Sequence, residues 1–384
     1  MKAGIRHTYS AATDARTAVR EFHASVAQPD MALVLFFCSS DYELEALAEE
    51  MNRLFAGVQV VGCTTAGEIG PGGYRDHGLA GASFSAEVCT AVSGSADCLE
   101  QFEISAGHAL GHRLLQELER TAPQANEQNC FAFLLIDGLS VREEVVGRTF
   151  QEALGRIPLA GGSAGDGLNF GSTYVFADGS FRPDRATLTL VTTRLPFTVF
   201  KTQHFVSTEQ RLVITEADTA LRLVREINGL PAAGEYARIL GIDVHQLTPS
   251  RFAAWPMVVL IDGNNYVRSV QKVNSDGSIT FYCAIEEGIV LRVARGVDLV
   301  ENLEDAFAGI RAEIGPPQVV IGCDCILRRM EIVQNRLEER VGQIFRSNNT
   351  VGFNTYGEQF RGVHINQTLT GIAIGMNPSE VQSG

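Results

Sequence analysis

The sequence predicts an α/β protein in two halves, with repeated strand-helix-strand units and an antiparallel meander in the C-terminal half. Three observations predict it. First, short apolar runs recur in pairs, each pair separated by residues at helical spacing. Second, each pair closes on the same four positions: a hydroxyl residue, a variable residue, glycine and an acid. These are Thr65-Ala66-Gly67-Glu68, Ser163-Ala164-Gly165-Asp166 and Thr355-Tyr356-Gly357-Glu358. Third, β-like runs between the second and third copies are punctuated by Asn264-Asn265 and Asp276-Gly277, which is hairpin chemistry.

A continuous apolar run suits a strand buried on both faces, as parallel strands are, and a helix between two such strands makes a right-handed crossover. The first unit runs from Leu33-Val34-Leu35-Phe36-Phe37 through a helix with Leu44, Leu47, Met51 and Leu54 to Val58–Glu68. The second runs from Phe131–Gly138 through Val145, Val146, Phe150 and Leu154 to Pro158–Asp166, and the third from Val319–Cys325 to Thr350–Glu358. Glycine in each closing turn permits positive φ and close approach, and the hydroxyl and acid can bond backbone N–H groups. Two readings stand side by side: structural turns of a repeated fold, or three turns converging on one pocket.

The other elements come in order along the chain. Residues 9–28 have the apolar spacing of an amphipathic helix, with Ala18, Val19, Phe22 and Val26. Strands are expected from His77 to about Val92 and over Asp97–Ile104, then a helix over His108–Arg120. Asp178-Gly179 marks a hairpin, with strands after it at 186–193, Phe197–Phe205 and Leu212–Ala217. Leu221–Pro231 ends a strand in a turn, and a helix starts at Ala232 and runs to Leu240. The meander is expected at Met257–Asp262, Val267–Val273, Ser278–Cys283 and Ile289–Arg295. Helices at Leu299–Ile314 and Leu327–Phe345, a last strand at His364–Gly375 and a frayed tail from Pro378 complete the chain.

Composition narrows the function. The 384 residues are 45% hydrophobic and carry a formal charge of −14, so no basic surface for nucleic acid is expected. No apolar run approaches a membrane span, and the N-terminus lacks the apolar stretch of a signal peptide, so a cytoplasmic protein is the default expectation. The eight cysteines read as reduced, buried residues. Cys323 and Cys325 form the one close pair, half of a zinc site at most, and read first as strand-end residues. No G-x-S-x-G elbow, P-loop or H-E-x-x-H occurs, and the spacing of Asp166 and Glu358 requires no acid-base pair; an enzyme is not expected.

Several motifs, in order, carry a resemblance. Val61–Ile69 and Gly161–Asp166 resemble the N-terminal half of FIST sensory proteins. Glu226–Ala232 with Tyr236, Gly352–Glu358 and His364–Thr368 resemble the C-terminal half. The domains are set at 30–225 and 226–376. The resemblance implies a bacterial ligand-sensing module working with signalling partners. The run Phe200-Lys201-Thr202-Gln203-His204-Phe205, with no kinase or methyl-accepting segment attached, is similar to the haem-binding, nitric-oxide-sensing NosP-type subset. That likeness implies haem b, nitric oxide and a partner histidine kinase.

A haem pocket needs a neutral imidazole aimed at iron in an apolar cavity. Of eight histidines, His204 and His364 fall in apolar runs; a core histidine bonded to backbone is the bland reading of each. His204 is the expected iron ligand, with His364 as its rival. The remaining expected site residues are Gly67, Ser163, Gly165, Asp166, Tyr356, Gly357, Glu358 and Asn366. The alternative is a binding module for an amino acid or other small polar metabolite, whose carboxylate the glycine turns would meet with backbone N–H groups. Self-association into a homo-oligomer stays open.

Overall fold

The computed structural model describes residues 4–261 and 263–376; Asp262 and the tail from Pro378 lie outside the described residues. The chain forms two compact units. One holds the chain up to Thr202, Glu304 to Val363, and Leu369 onward; the other holds Gln203–Leu303 and His364–Thr368.

The first unit contains the three repeats. Each places its two apolar runs as parallel neighbours: Met31–Ser39 with Gln59–Thr65, Cys130–Ile136 with Leu159–Ser163, and Pro317–Cys325 with Thr350–Thr355. The leading strand of each pair takes an antiparallel neighbour on its other side: Leu79–Ser85, Arg185–Thr193 and Leu369–Gly375. Alternation along the strands divides the apolar side chains between two faces. Leu35, Phe37, Phe133, Leu135, Ile321 and Phe353 enter one shared core, where Phe37 stacks on Phe353 at 4.6 Å. The opposite faces pack on helices, Val34 and Phe36 on Ala15–Val26 and Leu44–Leu54, and Leu134 and Ile136 on Ile104–Thr121 and Glu143–Leu154. Burying each such Phe or Leu contributes about 1.5–3 kcal/mol.

The strand after each closing turn positions the site, because it leaves its own sheet. After the first turn, Glu68–Gly70 pairs with Thr350–Thr355 of the third repeat. After the third, Glu358–Phe360 pairs with Leu159–Ser163 of the second. After the second, Val175–Ala177 pairs with Gln59–Thr65 of the first. The exchange is cyclic, so the three turns must meet where the chains cross.

The second unit is built on an antiparallel sheet. Its strands lie in the order Asn264–Arg268, Met257–Ile261, Val290–Gly296, Phe205–Asp218, Leu223–Ile227, Ile279–Phe281 and Val270–Val273. Helix Ala232–Leu240 packs its Tyr236 into the sheet's core beside Leu212, Ile227 and Phe281.

Most elements fall where the sequence puts them, and several differ, among them the last strand, expected over His364–Gly375 and found as Val363–Ile365 and Leu369–Gly375, and the Asn264-Asn265 turn, which begins a strand. Ile5–Ser10 is a strand that the apolar pattern did not mark. The strand expected over Asp97–Ile104 ends at Asp97, because Cys98 takes φ 57° and Asp184 draws in the N–H groups of Leu99 and Glu100. The single helix expected over Leu327–Phe345 is two, Ile326–Gln334 and Glu338–Ser347. Arg336 at φ 55° donates to Val333 O while Leu337 donates to Ile332 O, the paired bonds of a Schellman stop. The strand expected over Phe197–Phe205 is interrupted at Gln203 and His204, where Gln203 Oε1 takes the Phe205 N–H at 2.6 Å.

Candidate functional site

The three closing turns form a ring of hydrogen bonds in the first unit. Gly165 N donates to Thr64 O at 3.0 Å and Gly167 N to Thr65 O at 3.1 Å. Ser163 N donates to Gly357 O at 2.9 Å, closing the second turn on the third. Ala66 N donates to Asn354 O at 2.9 Å and Asn354 N to Gly67 O at 2.7 Å, closing the third on the first. Thr355 Oγ1 sits inside, accepting from Ser163 N at 2.8 Å and Gly357 N at 3.1 Å. Glycine is required here: a Cβ on Gly165 would lie 2.7 Å from Ala66 N. Gly67 has φ 128°, and its Cβ would meet Asp76 Oδ1 at 2.9 Å.

The acids of the turns do different work. Asp166 accepts the N–H groups of Phe170, Gly171 and Ser172 at 2.8–2.9 Å, and the Tyr356 hydroxyl donates to it. It thereby fixes the adjoining loop, and Phe170 stacks on Tyr356 at 4.4 Å. Glu68 is fully buried, accepting from Thr65 Oγ1 at 2.6 Å and Gly78 N at 3.0 Å, and burial pushes its pKa up to about 8. Glu358 is also fully buried and pairs through its backbone with Gly162.

Beside the first and second turns opens a cleft of about 630 Å³, within the range of small-molecule sites. Thr65 to Glu68 and Asp166 to Asn169 line it. Asp41, Asp76 and His77 form a polar rim, with His77 Nδ1 2.5 Å from Asp41 Oδ2. Helix Ile326–Gln334 also lines it, turning Ile326, Arg329, Met330 and Val333 toward the cleft at i, i+3, i+4 and i+7.

Arg329 is the cation of that helix face. Its guanidinium lies 4.2 Å over the Tyr74 ring and 3.4 Å from Asp76 Oδ2, and its Nη1 has no hydrogen-bond partner among the described residues. A buried group sets its place: Arg328 Nε is 2.9 Å from Asp324 Oδ1, both side chains are fully buried, and the Tyr74 hydroxyl donates to Asp324. Burial pushes the Asp324 carboxyl up and Arg328 opposes the rise. Tyr74 thus ties Asp324, and through it the helix, to strand Gly73–Arg75, over which Arg329 rests.

The FIST N domain family model matches residues 32–230, and the FIST C domain model matches residues 232–361. The chain belongs to the FIST family. FIST domains are sensory domains of signalling proteins that bind small ligands. No curated protein matches the chain. Among solved structures, a cyanuric acid hydrolase from A. caulinodans is similar at 8% identity and TM-score 0.38, over 97% of this chain and 99% of that one. A second cyanuric acid hydrolase structure is similar at 10% identity and TM-score 0.37, with the same coverage of each chain.

In this FIST protein Gly67 and Asp166 line the cleft, and Ser163, Gly165, Tyr356 and Gly357 form the ring behind it. Glu358 leads away into its strand. His204, His364 and Asn366 belong to the second unit. His204 is buried against the Phe205 ring at 4.2 Å, in the strand interruption rather than in a strand, and its carbonyl accepts from Val297 N. His364 is buried, its carbonyl accepting from Arg268 at 3.1 Å. Neither lines the cleft, so these residues do not fit a haem held there. The expected anion contact from turn N–H groups is also corrected: those of Ala66, Gly67, Gly165, Gly167 and Gly357 already have acceptors in the ring. Sequence reasoning missed Asp41, Asp76, His77 and Arg329; the Arg328-Arg329 doublet after Cys325 was the one local signal.

Proposed function

We propose that this FIST protein senses a small zwitterionic metabolite, of the amino acid class, bound in the cleft beside the three-turn ring. The observation that carries the reading is Arg329, held over Tyr74 in the lining of a cleft that also carries Asp41 and Asp76. A ligand carboxylate pairs with a guanidinium, and a ligand ammonium pairs with exposed carboxylates. Output passes to a partner histidine kinase, which responds because the ligand binds one conformational state better than another. The haem and nitric-oxide reading draws on the resemblance of the His204 run, and no feature of the cleft adds to it.

One preparation separates the two. Protein expressed with haem supplied is expected to show no Soret band that depends on His204 or His364. Its melting temperature is expected to rise with glycine or L-leucine, since a ligand at a hundred times its Kd stabilises by about 2.7 kcal/mol. A red protein that loses its Soret band on His204→Ala, with no response to amino acids, replaces this reading with haem-based sensing.

A further inference from the structure

The apolar wall of the cleft has no role in holding a zwitterion's charges. Met330 is 46% exposed, Val333 45% and Leu168 60%, although each is large and apolar and lines the concave site. Ile326, buried at 5%, continues the Met330–Val333 stripe. Leu168 lines the same cleft from the loop that Asp166 pins by three N–H bonds. The charged groups Asp41, Asp76 and Arg329 line the same cleft, and Arg329 shares the helix face of Ile326, Met330 and Val333. The cleft therefore offers charged and apolar groups side by side to one small molecule.

We propose that the exposed apolar lining sets ligand class: the cleft selects α-amino acids with aliphatic or thioether side chains over small, acidic or basic ones. The inference rests on the cleft being the ligand site. The ligand's side chain lies against Leu168 and the Met330–Val333 stripe, and removing these surfaces from water supplies the preference. A charged side chain there loses its hydration and gains no partner, so L-aspartate and L-lysine are disfavoured. Glycine keeps the charged contacts and gains nothing from the wall.

The test is calorimetric titration of the full chain with glycine, L-leucine, L-methionine, L-aspartate and L-lysine. L-leucine and L-methionine are expected to bind at least about tenfold more tightly than the other three, the discrimination one or two methylenes give in an apolar pocket. The double change Met330→Ser and Val333→Ser is expected to remove that advantage while glycine affinity stays within about twofold. Circular dichroism confirms folding, and Leu168→Ser, on a different element of the cleft lining, is a second and independent variant with the same expected direction. Equal affinity for all five ligands, still abolished by Arg329→Ala, overturns the apolar selection and leaves the cleft as the site. Absence of binding by any of the five, or binding untouched by Arg329→Ala, overturns the cleft reading and this inference with it.

Discussion

Glu68 has no exposed surface, and burial lifts its pKa from 4.5 to about 8 against the pull of its bonds from Thr65 and Gly78. The folded state therefore holds a proton between those two values that the unfolded chain has released, so this group's stabilisation is complete below pH 4.5 and lost as pH rises through about 8. Glu68→Gln keeps the shape and removes the titration. Its stability relative to the parent is expected to be greater at pH 9 than at pH 5, measured by urea denaturation at both. A difference that does not change with pH contradicts a protonated Glu68. The same residue shows what one position can and cannot announce. The acid was legible in the four-residue pattern, but its burial was not, because that depends on Gly78 and on a strand that joins another repeat.

At the scale of elements, the parallel pairs depend on missing side chains. A Cβ on Gly352 would lie 1.9 Å from Gly322 O, and one on Gly161 1.9 Å from Leu134 O. Both contacts are with backbone in a central strand, which does not move aside. Gly352→Ala and Gly161→Ala are each expected to lose about 1–3 kcal/mol or more in thermal or urea unfolding. Gly309 is the control: it lies within helix Leu299–Ile314 with nothing near its Cβ position, so Gly309→Ala is expected to gain about 0.5–1 kcal/mol. Parallel strands and crossover helices were legible because apolar runs and helical spacing are local. The break at Arg336 was not: the apolar rhythm of 327–345 runs through it, and the stop is made by backbone bonds that Leu337 and Arg336 send back.

At the scale of the whole molecule, the meeting of the three turns comes from the cyclic exchange of strands, and Thr355 tests whether the ring acts as one. Thr355→Val removes the acceptor for Ser163 N and Gly357 N in a buried place, an expected loss of about 2–3 kcal/mol, whereas Thr355→Ser keeps the oxygen and most of the stability. If Val and Ser unfold alike in urea, the ring does not depend on that oxygen. The repeated pattern gave away that three turns exist. Which strand each one joins was hidden, since Glu68–Gly70 and Glu358–Phe360 are three residues long and carry no mark of their partners. The cleft was hidden for a related reason: Asp41, Asp76 and Arg329 are far apart in sequence and ordinary in their local settings. They become a site only when helix Ile326–Gln334 is tied to Tyr74 through Asp324.

The most direct measurement is titration of L-leucine into the parent protein, Arg329→Ala and His204→Ala under one set of conditions. Loss of the guanidinium proposed to pair with the ligand carboxylate is expected to weaken binding about thirtyfold or more, while His204→Ala is expected to bind as the parent does. Parent-like affinity in Arg329→Ala, or loss of binding in His204→Ala with its fold intact, contradicts a ligand site at the three-turn cleft.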